Sequence, residues 1–170
     1  MDNTENLNEL IRDIEKSKTK NTEAAKIVKE FLMIEIEDKD LAIQIEYLRE
    51  VFDLNSEKDI VPIPFTPDYI NGIINVRGEI VPVLSILKVI GYPEKSKAYE
   101  KIAVIDEKFK IALPFNNIID LKMIDLKDIK MIQDISMDSN HQFVSQEFLY
   151  QDRIIRIIDI LKLYESDYLI

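Results

Sequence analysis

The chain contains no cysteine and only one histidine among its 170 residues. Without cysteine it can form no disulfide framework, no thiolate nucleophile and no cysteine-ligated metal site. One histidine argues against a histidine-based metal centre or a serine–histidine pair, and three glycines leave no phosphate-cradling loop. The many acidic side chains are scattered over polar turns and helix faces, where a solvated role is far more common than acid–base work. We therefore expect no enzyme, no cofactor and no metal site.

Positive charge is also scarce, with 22 Lys and Arg against 32 Asp and Glu and a formal net charge of −10. This balance argues against a nucleic-acid partner, because phosphate binding needs clustered basic side chains. No apolar run approaches the roughly 20 residues of a membrane span. Met1 is followed by acidic and amide residues, unlike a signal peptide. We expect a cytoplasmic protein that does not insert into a membrane.

A hairpin can be recognised in residues 70–91, where two runs rich in Ile and Val flank the sequence Asn75-Val76-Arg77-Gly78. Gly78 supplies the positive φ that a tight hairpin turn needs, and β-branched residues pack well on a pleated surface. Arg77 could pair with an acid, cap a carbonyl or project outward. From spacing alone, an exposed turn arginine is favoured.

The two halves of the chain repeat each other in pattern and order. Strand-like segments match at a sequence offset of 70, and the run after the hairpin turn matches a later run at an offset of 74. The matched segments are 32–34 with 102–104, 40–43 with 110–113, 48–51 with 118–121, and 80–88 with 154–162. We infer two copies of one all-β unit of about 60 to 70 residues and about five strands.

Units this small and apolar usually close into barrels, which leaves no open edge. The runs 80–84 and 154–158 are apolar at nearly every position, so we expect both of their faces to be buried, the outer face against the other barrel. Residues 86–90 and 160–164 should form short helices that plug barrel ends or seal the seam. The predicted fold is all-β, with two packed five-stranded barrels and a groove between them.

The first 30 residues differ from the rest and contain no aromatic residue, glycine or proline. Leu7, Leu10, Ile11 and Ile14 recur at helical spacing and predict a short amphipathic helix. A polar linker and a short helical piece over residues 23–29 should follow. The helix could dock on a partner, or it could simply pack on its own barrel or fray in solvent, and this second interpretation is favoured.

The pattern P-x-x-P-x-Y-I-x-G-I-I-N-x-R-G-x-I-x-P-V from Pro64 to Val83, with the later run RIIRIIDILK, resembles the CheW-like family of chemotaxis coupling proteins. The resemblance covers residues 31–165. It implies two intertwined five-stranded SH3-like barrels. The helical extension and linker at 1–30 have no general family counterpart, and a tail at 166–170 follows the barrels. Two positions depart from the family pattern: Val76 replaces the usual Leu, and Ser85 replaces an Asp that could cap the following helix.

The resemblance also implies a function. Family members are non-catalytic adaptors that join chemoreceptors, the methyl-accepting chemotaxis proteins, to the histidine kinase CheA, and they are recruited to membrane-associated receptor arrays. A paralogue serving another motility or receptor–kinase system is an alternative. A β-barrel module for a small ligand or an oligonucleotide is an alternative from a different class.

The family pattern indicates which residues meet the partners. Glu50 falls where the family places an acid that can pair with the turn arginine, so we predict a partly exposed Arg77–Glu50 ion pair. The predicted partner-binding residues are Arg77, Glu50, Leu48, Gly78 and Asn75.

Overall fold

The structure is a computed structural model that describes residues 3–18, 27–55, 59–106, 108–133 and 139–166. It contains three α-helices in these segments: α1 (Asn3–Lys18), α2 (Ile86–Val89) and α3 (Ile160–Glu165). No helix in the described segments is long and apolar enough to cross a membrane. The strands are β1 (Val28–Ile36), β2 (Lys39–Gln44), β3 (Leu48–Asp53), β4 (Ile70–Val76), β5 (Glu79–Leu84), β6 (Lys101–Ile105), β7 (Ala112–Phe115), β8 (Asn117–Asp125), β9 (Lys130–Met131), β10 (Gln146–Tyr150) and β11 (Arg153–Ile157).

The strands form two sheets, as the all-β prediction required. The six-stranded sheet has the order β8-β1-β2-β11-β10-β9, and the five-stranded sheet has the order β3-β6-β7-β5-β4. The sixth strand, β9, has two residues. This arrangement is consistent with the predicted pair of SH3-like barrels.

The sequence repeat corresponds to a repeat of elements, but neither copy forms a barrel by itself. The order β1-β2-β3-β4-β5-α2 in the first half is matched by β6-β7-β8-β10-β11-α3 in the second. Each sheet nevertheless takes strands from both halves, joined by the parallel pairs β2–β11 and β5–β7. The interpretation of each copy as a separate barrel is therefore wrong, whereas the intertwined arrangement implied by the family resemblance agrees with the strand order.

Side-chain alternation along the inner strands divides the core into three parts. In β1, Phe31 and Met33 pack inside the six-stranded sheet, whereas Leu32 and Ile34 face a larger cluster to which both sheets contribute. We call that cluster the shared core. A third cluster fills the five-stranded sheet. The shared core includes Leu32, Ile34, Leu41, Ile43, Leu48, Val51, Ala103, Ile105, Leu113 and Phe115.

The strands with two buried faces are therefore β1, β2, β6 and β7. The prediction that the runs 80–84 and 154–158 have two buried faces is wrong. Ile80 and Ile154, which begin the runs predicted to be buried on both faces, are 57% and 58% exposed. Their strands, β5 and β11, reach the shared core only near their other ends, at Leu84 and Ile158. An apolar run does not reveal which of its residues extend beyond the neighbouring sheet.

The two short helices predicted at residues 86–90 and 160–164 are present as α2 and α3. Ile86 and Leu87 of α2 and Ile160 and Leu163 of α3 are buried in the shared core. Each helix has a polar cap, since Ser85 Oγ accepts a bond from the Lys88 amide at 3.4 Å and Asp159 Oδ1 accepts one from the Lys162 amide at 3.0 Å. Serine therefore keeps the capping role at position 85.

Helix α1 packs on its own domain, which is one of the two outcomes that the favoured interpretation allowed. Leu7 and Ile11 are buried in the shared core, whereas Leu10 is 49% exposed. Within the predicted helical piece at 23–29, residues 28 and 29 belong instead to β1. The part of that piece before residue 27 lies outside the described residues.

Candidate partner-binding site

The turn between β4 and β5 has the geometry that its sequence predicts. Arg77 and Gly78 both have positive φ, 53° and 90°, as a two-residue hairpin turn of type I′ requires. Asn75 Oδ1 accepts a hydrogen bond from the Gly78 amide at 2.7 Å. A Cβ added to Gly78 would have no atom within 4 Å, so backbone conformation alone favours glycine there. Asn75 and Gly78 hold the turn that presents Arg77.

The turn arginine pairs with the predicted acid. Arg77 Nη2 lies 2.9 Å from Glu50 Oε2, and the side chains are 66% and 13% exposed. Glu50 belongs to β3, which is at the opposite end of the strand order from β4. The ion pair therefore joins the two ends of the five-stranded sheet and shows that the sheet curls back on itself.

A second ion pair crosses the same gap and was not foreseen from the sequence. Arg49 Nη1 lies 3.0 Å from Glu79 Oε2, and Arg49 Nε lies 3.7 Å from Glu50 Oε1. The Arg49 hydrogen bond is the main cause that lowers the pKa of Glu79, and nearby Lys110 assists it. The four side chains alternate in charge in the order Arg77, Glu50, Arg49 and Glu79, so each carboxylate has a guanidinium beside it.

A β-bulge explains why Arg49 reaches this network. Successive strand residues normally point to opposite faces, so the pattern places Arg49 and Glu50 on different sides. The register of β3 against β6 shifts between Leu48 and Glu50, and a bulge of this kind redirects side chains. The adjacent charged residues Arg49 and Glu50 were a possible sign of this network in the sequence. The alternation of side chains along a strand, however, predicts that they point to opposite faces.

Leu48 differs from the other predicted site residues because its side chain lies in the shared core and is 2% exposed. Its side chain anchors β3 to the shared core and offers almost no surface for direct contact with a partner. Ile80 is an exposed neighbour that the prediction omitted. It pairs with Asn75 across the hairpin, so an apolar side chain and the Arg77 guanidinium are presented by the same turn region.

The corresponding hairpin of the other sheet has its own charged cluster. Gln151 and Asp152 occupy its turn with positive φ, and the offset of 74 places them opposite Arg77 and Gly78. The next residue, Arg153, binds Asp40 through Nε at 2.8 Å and Glu35 through Nη2 at 2.9 Å. The hydrogen bonds that Arg153 donates to Asp40 and Glu35 raise the pKa of its guanidinium. The arginine thus follows this turn, whereas Arg77 lies within its own.

Two sheets that share one core, with an ion-paired arginine at one hairpin of each, define a small two-sheet β-protein. The family model described as the CheW-like domain matches residues 30–167, and the chain belongs to that family.

Individual relatives agree with this assignment. The chemotaxis protein CheW of Thermotoga maritima is 31% identical over 86 residues, covering 49% of this chain and 55% of that protein. The chain thus spans about half the length of that relative. The chemotaxis protein CheW of Rhizobium meliloti is 20% identical over 141 residues, covering 82% of this chain and 89% of that protein.

A solved structure gives the same result for the fold. The crystal structure of the scaffolding protein TtCheW from Thermoanaerobacter tengcongensis matches with a TM-score of 0.70 and 25% identity. The match covers 84% of this chain and 96% of that one. The chain thus shares the fold of that scaffolding protein.

Proposed function

We propose that this protein is a cytoplasmic, non-catalytic adaptor that couples chemoreceptors to the histidine kinase CheA. The observation that carries the proposal is the family match over residues 30–167, which includes both sheets. Coupling requires at least two binding surfaces on one rigid body. The shared core supports this requirement, because it ties the two sheets into a single unit.

The Arg77 turn is the proposed receptor-binding surface. Its guanidinium is largely exposed and pre-positioned by Glu50, and Ile80 adds apolar area close by. Arginine and apolar anchors are enriched at the centres of protein interfaces. A surface ion pair contributes only about 0 to 1 kcal/mol to folding, whereas removing one partner of a desolvated interfacial pair costs about 2 to 5 kcal/mol of binding free energy. The arrangement is therefore better suited to binding than to stability.

The proposed residues have unequal roles. Arg77 is the contact residue and Glu50 orients it, while Asn75 and Gly78 set the turn conformation. Leu48 acts through β3, because its side chain is buried.

A retention experiment tests the proposed partners. The protein is passed over an immobilised cytoplasmic fragment of a chemoreceptor, over immobilised CheA and over single-stranded DNA at the same ionic strength. We expect retention on the first two surfaces and none on the third. Retention on DNA alone would contradict the adaptor proposal and support the oligonucleotide-binding alternative.

A further inference from the structure

Helix α1 lies at the boundary between the two sheets. It packs along β3, the terminal strand of the five-stranded sheet. Its residues Leu7 and Leu10 also line an open cavity of about 370 Å³ with residues 118–121 of β8, the terminal strand of the six-stranded sheet. The helix therefore occupies the surface where the ends of both sheets meet.

Polar contacts fix α1 to the strand backbone. Asn8 Nδ2 donates to the Val51 carbonyl at 2.7 Å, and Asn8 Oδ1 accepts from the Val51 amide at 3.0 Å. One side chain thus satisfies the outward-facing backbone groups of an edge-strand residue, as a neighbouring strand would. Thr4 Oγ1 donates a further hydrogen bond to Asp53 Oδ1 at 3.0 Å. The edge of β3 is therefore covered by side chains of a helix.

The packing of α1 is incomplete. Leu10 is about half exposed although it lies on the apolar stripe, and the cavity beside it is not filled by the described side chains. A surface that accepts one amphipathic helix with space remaining can accept another helix with larger apolar side chains.

We propose that the groove between β3 and β8 is a helix-binding site that α1 occupies in the free protein, and that an amphipathic helix of a partner displaces α1 there. The site is adjacent to the proposed receptor surface, because Val51, which α1 binds, directly follows Glu50 in β3. The partner helix is that of the chemoreceptor cytoplasmic fragment. In this respect the inference rests on the proposed function, and α1 acts as a built-in competitor for the partner.

Locking and loosening α1 in the full chain tests this competition. The chain has no cysteine, so Thr4→Cys/Asp53→Cys introduces one pair, to be joined by a short bismaleimide or, where oxidation closes it, by a disulfide. Asn8→Ala/Ile11→Ala weakens the docking of α1, and Glu9→Ala changes an exposed position of the same helix as a control. The reduced, unlinked cysteine variant controls for the two substitutions themselves.

Affinity for the receptor fragment is the first readout. If α1 is docked for about 90% of the time, the apparent affinity is about tenfold below that of the open form. We therefore expect the loosened variant to bind several-fold more tightly, the linked form to bind at least about tenfold more weakly than wild type, and reduction of the disulfide form to restore binding. Equal affinity of the linked and unlinked forms would overturn the competition and leave the proposed receptor binding intact. If no form binds the fragment, the proposed receptor binding is wrong and this inference is wrong with it.

Hydrogen exchange of the free protein supplies a readout without any partner. We expect the α1 amides and the Val51 amide to exchange through local opening, much faster than the amides of β6. Exchange of α1 and β6 at one common rate would show that the helix opens only with global unfolding and would overturn the proposal.

Discussion

Replacing Arg77 separates its role in binding from its role in the fold. The side chain is 66% exposed, so loss of the ion pair in Arg77→Ala should cost only about 0 to 1 kcal/mol of unfolding free energy. Arg77 also has a φ of 53°, a conformation that costs a non-glycine residue about 1 to 2 kcal/mol. Alanine keeps that cost, whereas Arg77→Gly removes part of it.

Comparing the two variants therefore separates the loss of the ion pair from the backbone strain at position 77. We expect Arg77→Ala to lower the melting temperature by no more than about 4 °C, because 1 kcal/mol corresponds to about 2 to 4 °C in a chain of this size. Arg77→Gly should remain within about 1 kcal/mol of wild type, since relief of strain offsets the lost pair. Gln151→Gly is the matched control, because Gln151 occupies the equivalent turn with a φ of 45° but contributes no arginine.

Binding to the receptor fragment is measured on the same samples by titration calorimetry. Both Arg77 variants should lose at least about tenfold in affinity, which corresponds to about 1.4 kcal/mol, while Gln151→Gly should bind like wild type. A large fall in melting temperature with unchanged receptor affinity would refute the reasoning and assign Arg77 to the fold.

Two further predictions concern stability. Gly72→Ala should lower the free energy of unfolding by about 2 to 5 kcal/mol in denaturant, because an added Cβ would lie 2.3 Å from the Val61 carbonyl oxygen. The control Gly78→Ala should lower it by only about 1 to 2 kcal/mol, because of its φ alone. Equal losses of unfolding free energy would contradict the close approach at Gly72. Burial, with the hydrogen bond to Glu94, raises the pKa of Tyr99, so its stabilising contribution is complete below the unfolded tyrosine pKa of about 10 and is lost as pH rises through the folded value. Tyr99→Phe should therefore be less stable than wild type at pH 8, with a difference that narrows above about pH 10, and a constant difference across that range would show that the folded and unfolded pKa values are equal.

The sequence predicted best where local chemistry determines the structure. The turn at Asn75 to Gly78 follows from backbone preference, and the cap at Ser85 follows from helix-end chemistry. Glu50 was assigned to Arg77 by the family pattern and lies beside it. The turn and the cap need no knowledge of distant strands, whereas the Arg77–Glu50 contact across the sheet came from the family pattern alone.

The features that were missed depend on long-range pairing. Periodicity identifies a strand but not its sheet, so the exchange of strands between the two copies could not be deduced from the repeat. The exposure of Ile80 depends on where the neighbouring sheet ends. The contact between Arg49 and Glu79 depends on a bulge that breaks the alternation rule.

Kinase stimulation in a reconstituted mixture tests the proposed coupling most directly. Purified receptor fragment and CheA are combined with increasing amounts of this protein, and autophosphorylation of the kinase is followed with labelled ATP. We expect the protein alone to show no ATPase or phosphotransfer activity, and the full mixture to show receptor-dependent stimulation that rises with its concentration and is reduced by Arg77→Ala. Kinase activity that is indifferent to the protein at every concentration would contradict the adaptor function.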